Sequence, residues 1–225
     1  MKIIIANHSR RTENTKLELD YLIGSLLAPG SAFLRKYQEV EGRKSKLEDV
    51  RSEVGLKLHW VYEMTGGNLQ GKTFLDLGCG STSYDKYVGY DNWMGIPSSS
   101  RTFEPWLCRV LHEVGVHVIG VDVGSLAHEE FEHYSRDLLS ENALQEIPDH
   151  SIDFAHSRLL YDSPQLITNM VKRKDFPQMA REVRANALYW SLLDQARLAE
   201  RVLKSQLFPQ IERVLKPTGV YLCNE

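Results

Sequence analysis

From Thr73 onward, short apolar runs alternate with stretches of helical spacing, and the apolar runs lead into glycine or polar residues. Strands that alternate with helices are joined by crossovers. The pattern therefore predicts an α/β fold with a mostly parallel sheet and helices on both faces. The expected strands are residues 73–77, 117–122, 132–135, 151–156 and 220–223. Residues 104–114 have helical spacing, with Pro105 in the first turn and Gly115 as the stop. Residues 126–131 and 140–146 read as short helical pieces. Residues 178–216 read as largely helical, with Leu188, Leu192, Ala196, Ala199 and Leu203 on one face and Pro209 as a break. Residues 216–219 (Lys-Pro-Thr-Gly) read as a turn.

Before Thr73 the texture differs. Ile3, Ile4 and Ile5 suit a short buried strand over residues 2–6. Residues 16–27 have helical spacing, ended by Pro29-Gly30. Residues 31–64 are charged and mostly helical, with Phe33, Leu34, Tyr37, Val54, Leu58, Val61 and Tyr62 as apolar positions and Gly42 and Gly55 as interruptions. The chain thus divides into an N-terminal strand and helical cap, residues 1–70, and a main domain, residues 71–225. Its 225 residues suit one well-packed domain with an appendage.

Hydrophobic residues at 42% and charged residues at 25% are ordinary for a globular chain. A net charge of −3 gives no basic excess to neutralise phosphates, so no nucleic-acid partner is expected. The run Lys172-Arg173-Lys174 reads as a solvated helix end. The three cysteines (Cys79, Cys108, Cys223) lack metal-ligand spacing, so neither a disulfide framework nor a metal site is indicated, and a cytoplasmic setting fits best. The apolar start is too short for a signal peptide, and no stretch approaches the roughly 20 apolar residues of a membrane span.

Ligands of parallel sheets sit outside the carboxyl ends of the strands. At the first such end, Gly78, Gly80 and Ser81 form a loop whose backbone a ligand can approach, or a plain strand-to-helix turn. The second strand ends in Asp122, whose carboxylate suits the two hydroxyls of a ribose, or a helix cap. The third leads to Asp137-Leu138, which suits an adenine edge, or again a cap. The fourth ends in His156, a general base or a histidine that merely bonds its neighbours.

Taken in order, five stretches carry a resemblance: residues 74–80 (Phe-Leu-Asp-Leu-Gly-Cys-Gly), 118–122 (Val-Ile-Gly-Val-Asp), 136–138 (Arg-Asp-Leu), 151–158 (Ser-Ile-Asp-Phe-Ala-His-Ser-Arg) and 214–220 (Val-Leu-Lys-Pro-Thr-Gly-Val). The chain resembles the class I S-adenosylmethionine-dependent methyltransferases, with a Rossmann-like domain, over residues 73–223. The resemblance implies S-adenosyl-L-methionine as cofactor and methyl transfer to a small-molecule acceptor. It implies that Asp76, Gly78 and Gly80 cradle the amino-acid end, with Ser81 beside them. Asp122 would hold the ribose, Val123 would pack on the adenine, and Asp137 and Leu138 would read the adenine edge. His156 would lie near the methyl group.

The sequence departs from that family in three places. Gly80 to Asp122 spans 42 positions, longer than usual. The excess, residues 81–102, holds Tyr84, Tyr87, Tyr90, Trp93 and Met94, an acceptor wall or satellite packing. A second insertion, residues 159–186, reads as a lid or a homodimer contact, with Tyr161 and Asp162 as further catalytic candidates. The closing hairpin of the family is missing. The fifth strand is then an edge, or Ile3-Ile4-Ile5 or a partner subunit covers it. Two other functions stay open: a non-catalytic S-adenosylmethionine-binding or partner subunit, and an NAD(P)-dependent oxidoreductase. The oxidoreductase fingerprint needs a third glycine where Ser83 stands and an acidic residue closer than Asp122.

Overall fold

A computed structural model describes residues 2–5, 13–37, 71–81, 104–158 and 192–224, with isolated positions at 51–69 and 174–178. Six strands form one sheet in the order β1-β6-β5-β2-β3-β4. They are β1 (Lys2–Ile5), β2 (Thr73–Leu77), β3 (His117–Asp122), β4 (Glu132–Ser135), β5 (Ile152–Arg158) and β6 (Leu215–Asn224). Every pairing is parallel. The chain leaves the central strand β2 in one direction through β3 and β4, and returns to its other side through β5 and β6. This is the strand-order reversal of Rossmann-like α/β folds. The expected fold class is what the structure shows. Strand β1 lies along β6, with Ile3 opposite Tyr221 and Ile5 opposite Cys223, so the N-terminal isoleucines cover the edge that a closing hairpin would otherwise take.

The side-chain alternation of β2 sends Leu75 and Leu77 to one face of the sheet and Phe74 and Asp76 to the other. The first face packs on helix α4 (Leu192–Val214) through Leu198, Val202, Leu207, Ile211 and Val214. The second packs on α1 (Glu13–Leu26), α2 (Ala32–Tyr37) and α3 (Trp106–Glu113). Each fully buried Leu, Val or Ile is worth about 1.5–3 kcal/mol relative to exposure, so these two layers dominate stability. Local signals set the helix ends. Ser31 accepts the Leu34 N–H at 3.1 Å and starts α2 after Gly30 turns the chain at φ 75°. Gly115, at φ 83°, ends α3 and donates its N–H to the His112 carbonyl.

Some local expectations are corrected. Residues 126–131 and 140–146 form turns, not helices. In the second segment, side chains of α4 take over the backbone: Gln210 accepts the Leu144 N–H, and Arg213 donates to the carbonyls of Leu144 and Ile147. Pro209 lies inside α4 and does not end it. Its missing N–H deprives the carbonyl of Ser205, and both residues are on the exposed side of the helix. Gly55 sits at a helical position. The 216–219 turn lies within β6: Ile152 pairs with Leu215 but Phe154 pairs with Val220, so residues 216–219 loop past Asp153. Gly42 and residues 179–191 lie outside the described residues.

Candidate cofactor site

The chain reverses direction in the sheet at β2, and the loop after β2 is where sequence and topology coincide. Gly78 (φ 69°) and Gly80 (φ 94°) adopt left-handed backbone that favours glycine. The N–H groups of Gly78 and Cys79 both turn back to the Val121 carbonyl, at 2.8 and 3.3 Å. The Gly80 N–H donates to Oδ2 of Asp122 at 3.0 Å. Oδ1 of Asp122 accepts the Gly124 N–H at 2.8 Å, and its backbone carbonyl accepts the Arg136 N–H at 2.8 Å. Asp122 therefore joins the ends of β2, β3 and β4.

One layer below the loop, Asp76 and His156 are register partners on β2 and β5. Nδ1 of His156 donates to Oδ1 of Asp76 at 2.6 Å, and the Cys108 thiol donates to Oδ2 at 3.5 Å. The imidazole lies 5.9 Å from the Phe74 ring. Asp76 is 3% exposed, His156 is 1% exposed, and Nε2 of His156 is also sealed from solvent. The sequence reading set both residues against a ligand. The structure buries both side chains and bonds them to each other. Cys79 and Cys108 are buried as well. Burial pushes Cys79 up to about 11 and Cys108 well above the usual thiol range, so neither is a nucleophile near neutral pH.

The other candidates lie around the rim. Val123 is half-buried. Asp137 is exposed at the end of β4, and its Oδ1 accepts the Leu139 N–H at 2.9 Å, so it does cap a turn. Leu138 is buried in the core under α4. Ser81 is buried against Gly124. Tyr161 and Asp162 lie outside the described residues, as do Tyr84, Tyr87, Tyr90, Trp93 and Met94.

One cluster escaped the sequence reading. Arg109 of α3 is 1% exposed and binds two carboxylates. Its Nε and Nη2 meet Glu129 at 2.9 and 2.6 Å, and Nη1 meets Glu104 at 2.6 Å. The guanidinium stacks 4.3 Å from the Tyr37 ring centroid and 4.6 Å from that of Trp106. Burial works against its charge, but the two glutamates outweigh this and raise its pKa. The cluster ties the helical cap, through Tyr37, to α3 and to the link between β3 and β4. Its signal was an arginine inside an apolar stretch, three positions after Trp106, with glutamates nearby.

No protein-family model matches the chain, and no curated protein matches it. Among the described residues, no helix is long and apolar enough to cross a membrane.

Proposed function

We propose that the chain binds S-adenosyl-L-methionine across the ends of β2, β3 and β4 and transfers its methyl group to a small acceptor. The observation that carries this reading is the placement of Asp122. It sits at the end of the strand next to β2, bonded to the glycine loop, with Asp137 on the exposed rim of the following strand. The residues fit a nucleoside in kind and order. Asp122 is a carboxylate of the kind that accepts from a ribose diol, Val123 is apolar, and Asp137 is an exposed carboxylate of the kind that accepts from an exocyclic amine. When bound, the cofactor supplies an electrophilic methyl group on sulfur. The chain's own work is alignment and exclusion of water, the usual means of assisting an in-line displacement. Asp76 and His156 act in this account as positioning residues, holding the glycine loop at its height above the sheet.

The same geometry speaks against a dinucleotide. A pyrophosphate is held by outward-facing backbone N–H groups. Here the N–H groups of Gly78, Cys79 and Gly80 are already bonded to Val121 and Asp122. A non-catalytic binding subunit is favoured by one observation, the sealed position of His156. Equilibrium dialysis with labelled S-adenosylmethionine, and with NAD and NADP in parallel, tests the reading. Retention of the first alone is the expected result; retention of NAD or NADP alone contradicts it. Label transferred to acceptors in a metabolite mixture separates an enzyme from a binding subunit.

A further inference from the structure

Three consecutive residues of β3 hold three consecutive residues of the glycine loop. The Val121 carbonyl accepts the Gly78 and Cys79 N–H groups, and the Asp122 carboxylate accepts the Gly80 N–H. Gly120 takes the Cys79 side chain. A Cβ at Gly120 would lie 3.0 Å from Cys79 Sγ and 2.6 Å from Cε2 of Phe131, so both side chains rest on bare backbone. Gly120 does not have a positive φ, and this close approach is what calls for glycine. The thiol donates to the Gly80 carbonyl at 3.3 Å. Cys79 is 5% exposed and belongs to the same core layer as Phe131, Cys108 and Trp106. Gly78 and Gly80 contribute no side chain, so Cys79 is the one packed side chain of the 78–80 turn.

We propose that Cys79, seated on Gly120, is a positioning residue for the cofactor: it fixes the glycine loop on β3 in the form that the ligand meets. The inference rests on the nucleoside reading above. Glycine reaches left-handed and right-handed backbone about equally well, so Gly78 and Gly80 leave the loop other conformations. The Cys79 contact selects among them. A ligand that binds one loop form has its affinity reduced by the fraction of molecules in that form. The thiol faces the core, so it acts through the loop and not by touching the ligand.

The test compares wild type with Cys79→Ala and Cys79→Ser. Titration of S-adenosylhomocysteine reads affinity, hydrogen exchange of the Gly80 amide in ligand-free protein reads the loop, and urea denaturation reads global stability. Cys79→Ala empties the seat. Its affinity should weaken roughly tenfold, and its Gly80 amide should exchange faster. Serine refills the seat and can donate to the Gly80 carbonyl, so Cys79→Ser should keep its affinity within about twofold of wild type. A hydroxyl buried among apolar neighbours costs stability, so Cys79→Ser should be no more stable than Cys79→Ala in urea. If Cys79 is merely structural, affinity follows stability and both variants weaken alike; that result overturns the proposal. Wild-type affinity and exchange in a folded Cys79→Ala overturn it as well. If wild type itself does not bind, the nucleoside reading falls, and exchange then decides the positioning alone. Faster exchange in Cys79→Ala than in Cys79→Ser upholds the seat, and equal exchange overturns it.

Discussion

Asp76 and His156 face each other across the two central strands, 2.6 Å apart and sealed from solvent, directly beneath the glycine loop. Removing one member leaves the other buried with its main partner gone, which costs about 3–5 kcal/mol. His156→Ala is expected to lose that much stability in urea denaturation. Replacing both residues with leucine should cost less than His156→Ala alone. Equal losses would mean that the pair does not act as a unit.

Arg109 makes a sharper case, because its loss takes the guanidinium from two buried carboxylates, Glu104 and Glu129, and from the Tyr37 ring. Arg109→Met is expected to cost about 3–5 kcal/mol. It should also make the segment around Tyr37 more sensitive to limited proteolysis. Adding Glu104→Gln and Glu129→Gln should recover part of the stability but not the protection, since the cation–π contacts stay lost. Full protection in Arg109→Met would show that the cap docks without the guanidinium.

Asp153 sets part of the acid limit of stability. Burial works against its charged form, but Lys216 at 2.6 Å, the Thr73 N–H at 3.0 Å and Lys72 at 3.4 Å outweigh it and lower the carboxyl pKa. A depressed folded-state pKa contributes stability above the ordinary aspartate value, near 3.9, and the contribution is lost as pH falls through the folded pKa. Wild type should therefore lose stability below about pH 4 more steeply than Asp153→Asn. Parallel acid limbs in the two proteins would contradict this.

The sheet was legible because β2, β3 and β5 are short apolar runs that lead into glycine or polar residues and alternate with stretches of helical spacing. Asp122 announced itself by closing the run 118–121, whereas the cover over β6 was one of three open alternatives, and only the register puts Ile3-Ile4-Ile5 there. The short turns at 126–131 and 140–146 were not legible, because both are held from elsewhere in the chain: Arg109 binds the Glu129 carboxylate, and Gln210 and Arg213 bind the backbone of Leu144. The partner of His156 was not legible for a related reason. Sequence put it at the strand end, but only the register shows that its partner is Asp76 and that both point into the core. Arg109 was invisible as a centre because its partners come from three separate segments.

Cys79, Cys108 and Cys223 are all free and buried. In the native protein they should react with a thiol reagent at pH 8 far more slowly than model thiols, and all three should react at once in urea. Rapid native reaction of Cys79 would show that the glycine loop opens readily.

Calorimetric titration of S-adenosylhomocysteine into wild type and Asp122→Ala tests the central claim most directly. Loss of charge-assisted ribose contacts should cost roughly 2 kcal/mol or more, at least a tenfold weakening. A folded Asp122→Ala that binds as tightly as wild type would contradict the account, as would a wild type that does not bind.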